Sequence, residues 1–126
     1  MNLVDSCGWL EYFADGDNAE FFAPVITDTA NLLVPTFALF EVFKRTLQQR
    51  EENAALQAVA VMQQGTVVDL TGDLSLSAAK LAITHKLPMA DSVMLATARR
   101  HQARLWTQDS DFEGIEGVQY RRKATG

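Results

Sequence analysis

The sequence predicts an α/β fold, a three-layer sandwich with a mostly parallel central sheet of about five strands. Short aliphatic or β-branched runs alternate along the chain with segments of helical periodicity, the pattern of strands joined by crossover helices. No linker, repeat or low-complexity tract interrupts the 126 residues, of which 48% are apolar and 21% charged. That is ordinary globular usage, and residues 1–126 read as one domain around one core. Parallel strands need right-handed crossovers, so helices are expected on both faces of the sheet.

The elements follow in order. Asn2 to Asp5 reads as a short buried strand, followed by a helix with Trp9, Tyr12 and Phe13 on one face. Asp15-Gly16-Asp17-Asn18 breaks it, and a second helix is expected from Ala19 to about Ala30, with Asn18 as N-cap and Pro24 as an internal cost. Leu32-Leu33-Val34-Pro35 is the next apolar run, and its proline suits the start of a helix. That helix, about Thr36 to Arg50, carries Phe40, Phe43 and Leu47 on one stripe, and an alanine-rich helix over Glu51 to Gln64 stops at Gly65. Thr66 to Leu70 is β-branched and short, hence a strand. A helix from Asp73 to about His85 turns Leu74, Ala78 and Leu81 inward, and Pro88 opens another that runs to about His101. Arg104 to Thr107 then reads as a buried strand and Val118 to Arg121 as an edge strand.

Composition excludes some functions and leaves others open. The single cysteine, Cys7, can form neither an internal disulfide nor a zinc site by itself, so a reducing cytoplasm is the expected location. The start of the chain lacks the basic flank and apolar stretch of a signal peptide, and no apolar run approaches the roughly 18 to 20 residues that cross a bilayer. A net charge of -5 argues against a broad basic surface for nucleic acid. That argument weakens if several carboxylates hold divalent cations, whose charge formal counting omits.

Four acids occupy positions with one thing in common. Asp5 follows Leu3-Val4, and Asp109 comes just after Leu105-Trp106-Thr107, so both belong at the carboxyl edge of the sheet. Glu41 falls in the second turn of the helix that begins near Pro35, and Asp91 in the first turn after Pro88, and both helices start at that edge. Functional groups of such sheets gather there, where the strand order reverses. Like charges at one point destabilise the fold unless a cation removes the conflict. Oxygen-only donors suit magnesium or manganese better than zinc. Such an ion lowers the pKa of a water and stabilises charge on a phosphoryl group, so no serine, cysteine or histidine nucleophile is required. Neither His85 nor His101 has an obvious nucleophile partner, and a Gly-rich phosphate loop is missing.

Here the residues carry a resemblance. Val4-Asp5-Ser6, then Glu41, Pro88-Met89-Ala90-Asp91, and Leu105-Trp106-Thr107-Gln108-Asp109-Ser110-Asp111-Phe112 together resemble the PIN domain family, and within it the VapC-type toxins of bacterial toxin–antitoxin pairs. The resemblance covers almost the whole chain. It implies a magnesium- or manganese-dependent endoribonuclease acting on structured RNA, inhibited by a small antitoxin encoded alongside, and a homodimer. It also implies that Asp5, Glu41, Asp91 and Asp109 are the site acids, with Asp5, Asp91 and Asp109 on the metal and Asp111 as a less regular further ligand. Ser6 and Thr107 match hydroxyl positions that orient a carboxylate or a water.

Each residue also has an ordinary explanation. Asp5 can be an N-cap, Asp91 can answer the helix dipole, and Asp109 and Asp111 can be plain turn residues. Glu41 and Arg45 have the spacing of a surface ion pair, although Phe37, Phe40, Val42 and Phe43 leave that helix little expected exposed face. His85 and His101 fit helix C-termini, Cys7 fits packing, and Arg121-Arg122-Lys123 fits a solvated tail unless it meets RNA phosphates. The aromatic residues Trp9, Tyr12, Phe13, Phe21 and Phe22 fit the core, but an excess of apolar surface there would mark a partner groove. Two other functions are weighed: a receiver-like phosphoacceptor domain with Asp69 as acceptor, against which stand the single acid Asp5 after the first strand and the lack of a suitably placed lysine, and a non-catalytic binding module of the same fold, against which stands the intact set of four acids.

Overall fold

A computed structural model describes residues 1–124 and has five strands and six helices. These are β1 (Asn2–Val4), α1 (Ser6–Phe13), α2 (Ala19–Thr27), β2 (Leu32–Pro35), α3 (Thr36–Gln49), α4 (Glu52–Met62), β3 (Thr66–Val68), α5 (Gly72–His85), α6 (Met89–Arg100), β4 (Arg104–Thr107) and β5 (Val118–Tyr120). The sheet order is β3-β2-β1-β4-β5 and every pairing is parallel. Leu3 stands opposite Leu33 on one side and Leu105 on the other.

From β1 the chain moves outward through β2 to β3, then crosses back to β4 on the far side of β1. Right-handed crossovers in opposite directions put α1 to α4 on one face and α5 with α6 on the other. A sheet covered on both faces needs apolar residues on both sides of each inner strand. Accordingly Leu3, Val4, Leu32, Leu33 and Val34 are all buried. Gly8 of α1 lies where an added Cβ would stand 2.7 Å from both Phe22 and Val4, two fully buried side chains with no room to give. Glycine is what lets α1 sit this close to the sheet beside Asp5. Among the described residues no helix is long and apolar enough to cross a membrane.

Besides strands that end early, β3 at Val68 and not Leu70 and β5 at Tyr120 and not Arg121, the structure departs from the expected elements in four places. First, α2 ends at Thr27 and not near Ala30. Asp28 leaves helical geometry at ψ 68°, and Thr29–Asn31 forms a separate 3-10 turn. Pro24 is tolerated because it lies on the exposed side, where the carbonyl it leaves unserved can meet water.

Second, Asn18 holds the N-cap position but its side chain caps nothing. Its amide donates instead to Gln108 Oε1 at 3.0 Å and to the Arg122 carbonyl at 3.1 Å. Third, the stripe of Phe40, Phe43 and Leu47 is not the buried face of α3, since Phe40 is 59% exposed and Leu47 40%. Ala38 and Val42 are buried there, because α3 is held closely between α1 and α4 and short side chains fit that spacing. Fourth, β4 is buried only in alternation, with Arg104 exposed and Trp106 half-buried. Trp106 donates from Nε1 to Asn2 Oδ1 and packs on Phe21.

Candidate metal centre

The strand order reverses at β1, between the outward run to β3 and the return to β4, so the carboxyl ends of β1 and β4 are neighbours. Asp5 continues the pairing: its N–H donates to the Trp106 carbonyl at 2.9 Å. Its side chain does two things at once. Oδ1 accepts from the Ser6 N–H at 2.8 Å as the cap of α1, and Oδ2 accepts from Thr107 Oγ1 at 2.9 Å. The capping explanation for Asp5 therefore holds together with the site explanation.

Thr107 also accepts from the Asp109 N–H at 3.0 Å, so one hydroxyl ties the two strand-end acids together. Asp109 caps the 3-10 turn Ser110–Phe112 by accepting from the Asp111 N–H at 2.9 Å. Asp91 arrives from the first turn of α6, a helix whose residues Asp91 to Ala98 are all buried. Asp5, Asp91 and Asp109 each offer an oxygen within 4.8 Å of the others.

Three carboxylates so close carry an electrostatic cost. Burial pushes the Asp5 carboxyl up to about 6, opposed by the hydrogen bonds from Thr107, Cys7 and Ser6, and the Glu41 charge adds to the rise. Asp91 is pushed up to about 8, first by burial and then by the charges of Asp5, Asp109 and Asp111. Burial, reinforced by the Asp5 charge, also raises Cys7 far above the usual thiol range, so it stays a neutral thiol whose Sγ donates to Asp5 Oδ2 at 3.4 Å. Asp91 is the acid that keeps its proton near neutral pH, a conflict that a bound cation would remove. The donor set is all oxygen and fits a hard divalent ion.

The remaining predicted residues stand around this trio. Glu41 lies outside it: Oε1 accepts from Ser6 Oγ at 2.6 Å, and the side chain lines a cavity of about 440 Å³ together with Asp5, Asp91 and Asp109. The expectation that α3 has little exposed face is corrected, for Lys44 and Arg45 are exposed and line the same cavity. What holds Glu41 inward is the Ser6 hydroxyl. Asp111 is exposed and not among the three clustered acids; it acts on the trio through its N–H and its charge. Ser6 and Thr107 both bond site carboxylates.

Two features escaped sequence reasoning. Cys7 is a donor to Asp5 and not merely a packing group, a role that its position in the first turn behind Asp5 makes available. Lys44 and Arg45 follow Glu41 at helical spacing, which puts all three on one side of α3. His85 ends α5 and His101 caps α6, and neither lines the cavity that holds the acids. Asp69 follows the edge strand β3 and is exposed, and the strand order differs from the 2-1-3-4-5 of receiver domains, so the structure too speaks against the phosphoacceptor alternative.

Thr107→Val keeps the shape of the side chain and removes both hydrogen bonds that orient Asp5 and Asp109. The expected result is a roughly 10- to 100-fold loss of divalent-metal affinity with the fold retained. Calorimetric titration with manganese, alongside circular dichroism, measures it; unchanged affinity would remove Thr107 from the site.

An α/β domain with three carboxylates at the reversal point of a parallel sheet belongs to the acidic-site class for which divalent-metal chemistry is the expected use. The PIN domain model matches residues 3–118, and the chain belongs to the PIN domain family. The fold is similar to that of a toxin–antitoxin complex from Klebsiella pneumoniae, with TM-score 0.77 and 22% identity over 94% of this chain and 95% of that one. It is also similar to VapC20 of Mycobacterium tuberculosis, a toxin that cleaves the sarcin-ricin loop, with TM-score 0.76 and 17% identity over 92% and 95%. A third similar structure is VapBC2 of Rickettsia felis bound to promoter DNA, with TM-score 0.73 and 9% identity over 96% and 97%. No curated protein matches the chain.

Proposed function

We propose that this chain is a magnesium- or manganese-dependent endoribonuclease and the toxin of a type II toxin–antitoxin pair. The observation that carries this is the convergence of Asp5, Asp91 and Asp109, each with an oxygen within 4.8 Å of the others. When bound, a divalent cation lowers the pKa of a water and draws charge from a phosphoryl oxygen. Asp5, Asp91 and Asp109 would hold it, while Ser6, Thr107 and Cys7 keep Asp5 from turning away. Glu41, anchored to Ser6 through one oxygen, stands in the same cavity as an acceptor for a proton from water. Lys44 and Arg45 supply local positive charge beside the acids in a chain of net charge -5, and hold RNA phosphates.

The partners follow from the surface. The aromatic residues of α1 and α2 are core or half-buried, with Trp9 and Phe22 at 0% exposure. Leu10 and Phe13, both half-buried, meet Ala54, Ala58 and Val61 of α4 around a groove of about 270 Å³ whose lining also carries Thr46, Gln49, Arg50 and Gln57. That groove suits an amphipathic helix from a small antitoxin. In this reading the chain is one domain, works in the cytoplasm and pairs with a second copy. A module that keeps the fold without the reaction would have no need of the intact trio.

The test is cleavage of a pool of cellular RNAs by protein purified free of any antitoxin. Cleavage that requires magnesium or manganese and stops with excess chelator is expected. RNA left intact with either ion, or cut equally in chelator, would sink the proposal.

A further inference from the structure

The cavity that holds the acids does not end at them. A second cavity, of about 540 Å³, opens on the other side of Cys7 and Asp109, and both residues line both cavities. The first is walled by Lys44 and Arg45 of α3, the second by Tyr120, Arg122 and Lys123 at and beyond the end of β5. Two basic walls therefore flank one acidic centre, in a chain whose net charge is -5.

The second wall is built, not a loose tail. Arg121 donates its N–H to the Thr107 carbonyl at 3.0 Å, and its guanidinium lies 4.6 Å from the centroid of the Phe21 ring. The next carbonyl, that of Arg122, is held by Asn18, a buried amide that simultaneously binds the buried Gln108. Asn18 was expected to cap α2. It serves instead to dock three segments: the loop after α1, the turn after β4 and the chain after β5. With Arg121 turned to Phe21 and the Arg122 backbone fixed, Arg122 and Lys123 line the cavity that adjoins Asp109. Half-buried Tyr120 adds an aromatic surface beside them.

We infer that the two cavities form one continuous path for a single RNA strand, in which Arg122 and Lys123 bind the phosphates flanking the scissile one and Tyr120 stacks on a base. Cations along a groove with an aromatic platform are the combination that holds single strands without reading sequence. The inference rests on the ribonuclease reading above and assigns it a substrate-binding wall. The Arg121-Arg122-Lys123 run is then split in function: the first residue anchors the segment and the other two meet the substrate.

The experiment titrates a fluorescent single-stranded RNA dodecamer against salt, with chelator present, in an Asp91→Asn background so that the RNA stays whole. Removing two phosphate contacts lowers the salt slope by about 0.7 each, and lowers affinity on the order of tenfold or more near about 0.1 M salt. That result is expected for Arg122→Gln with Lys123→Gln. Arg99→Gln with Arg100→Gln takes the same charge from the far end of α6 and is expected to leave the slope unchanged. Equal losses in both double variants would reduce the effect to net charge and overturn the path, as would an unchanged slope in the first. Cleavage by the unaltered protein is scored separately. A slope change without cleavage keeps the path and sinks the ribonuclease reading, whereas cleavage with no slope change sinks the path alone. Circular dichroism of each variant confirms that the fold is retained, and Tyr120→Leu, expected to weaken binding without changing the slope, gives an independent check.

Discussion

Asp91→Asn is expected to abolish RNA cleavage, by on the order of 10³-fold or more, while raising the melting temperature of the metal-free protein at pH 8 by several degrees. Both effects have one cause. The Asp91 carboxyl is raised to about 8 by burial and by the neighbouring charges of Asp5, Asp109 and Asp111. Asparagine keeps the volume, removes the charge that the fold resists, and with it a ligand that a cation needs. A residue conserving structure alone would lose stability on substitution; one held against the preference of the fold gains it. Thermal melts and a cleavage assay on the same preparation decide this. A variant that is less stable in the absence of metal, or that still cuts RNA, contradicts the assignment.

Metal-free protein is expected to lose stability as pH rises from 4 to 9, and magnesium to restore it most at the alkaline end. The sign comes from the raised carboxyls. A group whose folded pKa lies above its unfolded value of 3.8 binds its proton more tightly in the folded state. The stability it contributes is therefore complete below about pH 4 and is lost as pH climbs through about 6 for Asp5 and about 8 for Asp91. Each pH unit so spanned is worth about 1.4 kcal/mol, so Asp5 alone contributes on the order of 3 kcal/mol. A cation binds the deprotonated form, and its stabilisation grows over the same range. Melting temperatures with and without magnesium at steps across this range measure both trends. A magnesium-induced shift that is the same at pH 5 and pH 8 would show that these carboxyls are not the ligands.

Much of the site was legible because its determinants are local. Leu3-Val4 and Leu105-Trp106-Thr107 declare themselves as strands, and in a parallel α/β sheet the residue after each strand falls on one edge. Pro88 marks the start of α6, which brings Asp91 to that edge. The side of α3 that is buried was not legible, since Phe40 and Leu47 have the helical spacing of a core stripe while Ala38 and Val42 have the size that close packing requires. Periodicity reports which residues share a face; the distance to the neighbouring helices decides which face turns in. Asn18 misled for a similar reason. An amide before a helix suits a cap, but here partners distant in sequence, Gln108 and Arg122, compete for it and win.

The sequence by itself determined the alternation of strands and helices, the family resemblance, and the position of each acid near the start of a helix or the end of a strand. These depend on neighbours a few residues away, which any window of the chain contains. Only the tertiary structure decided that β1 lies beside β4, and that Thr107 therefore reaches Asp5 across a hundred residues of intervening chain. It also decided that Asp5, Asp91 and Asp109 form a close group, with Glu41 lining the same cavity and Asp111 exposed outside the group. Strand adjacency and side-chain convergence are long-range properties, set by which faces can be buried together, and no local pattern encodes them.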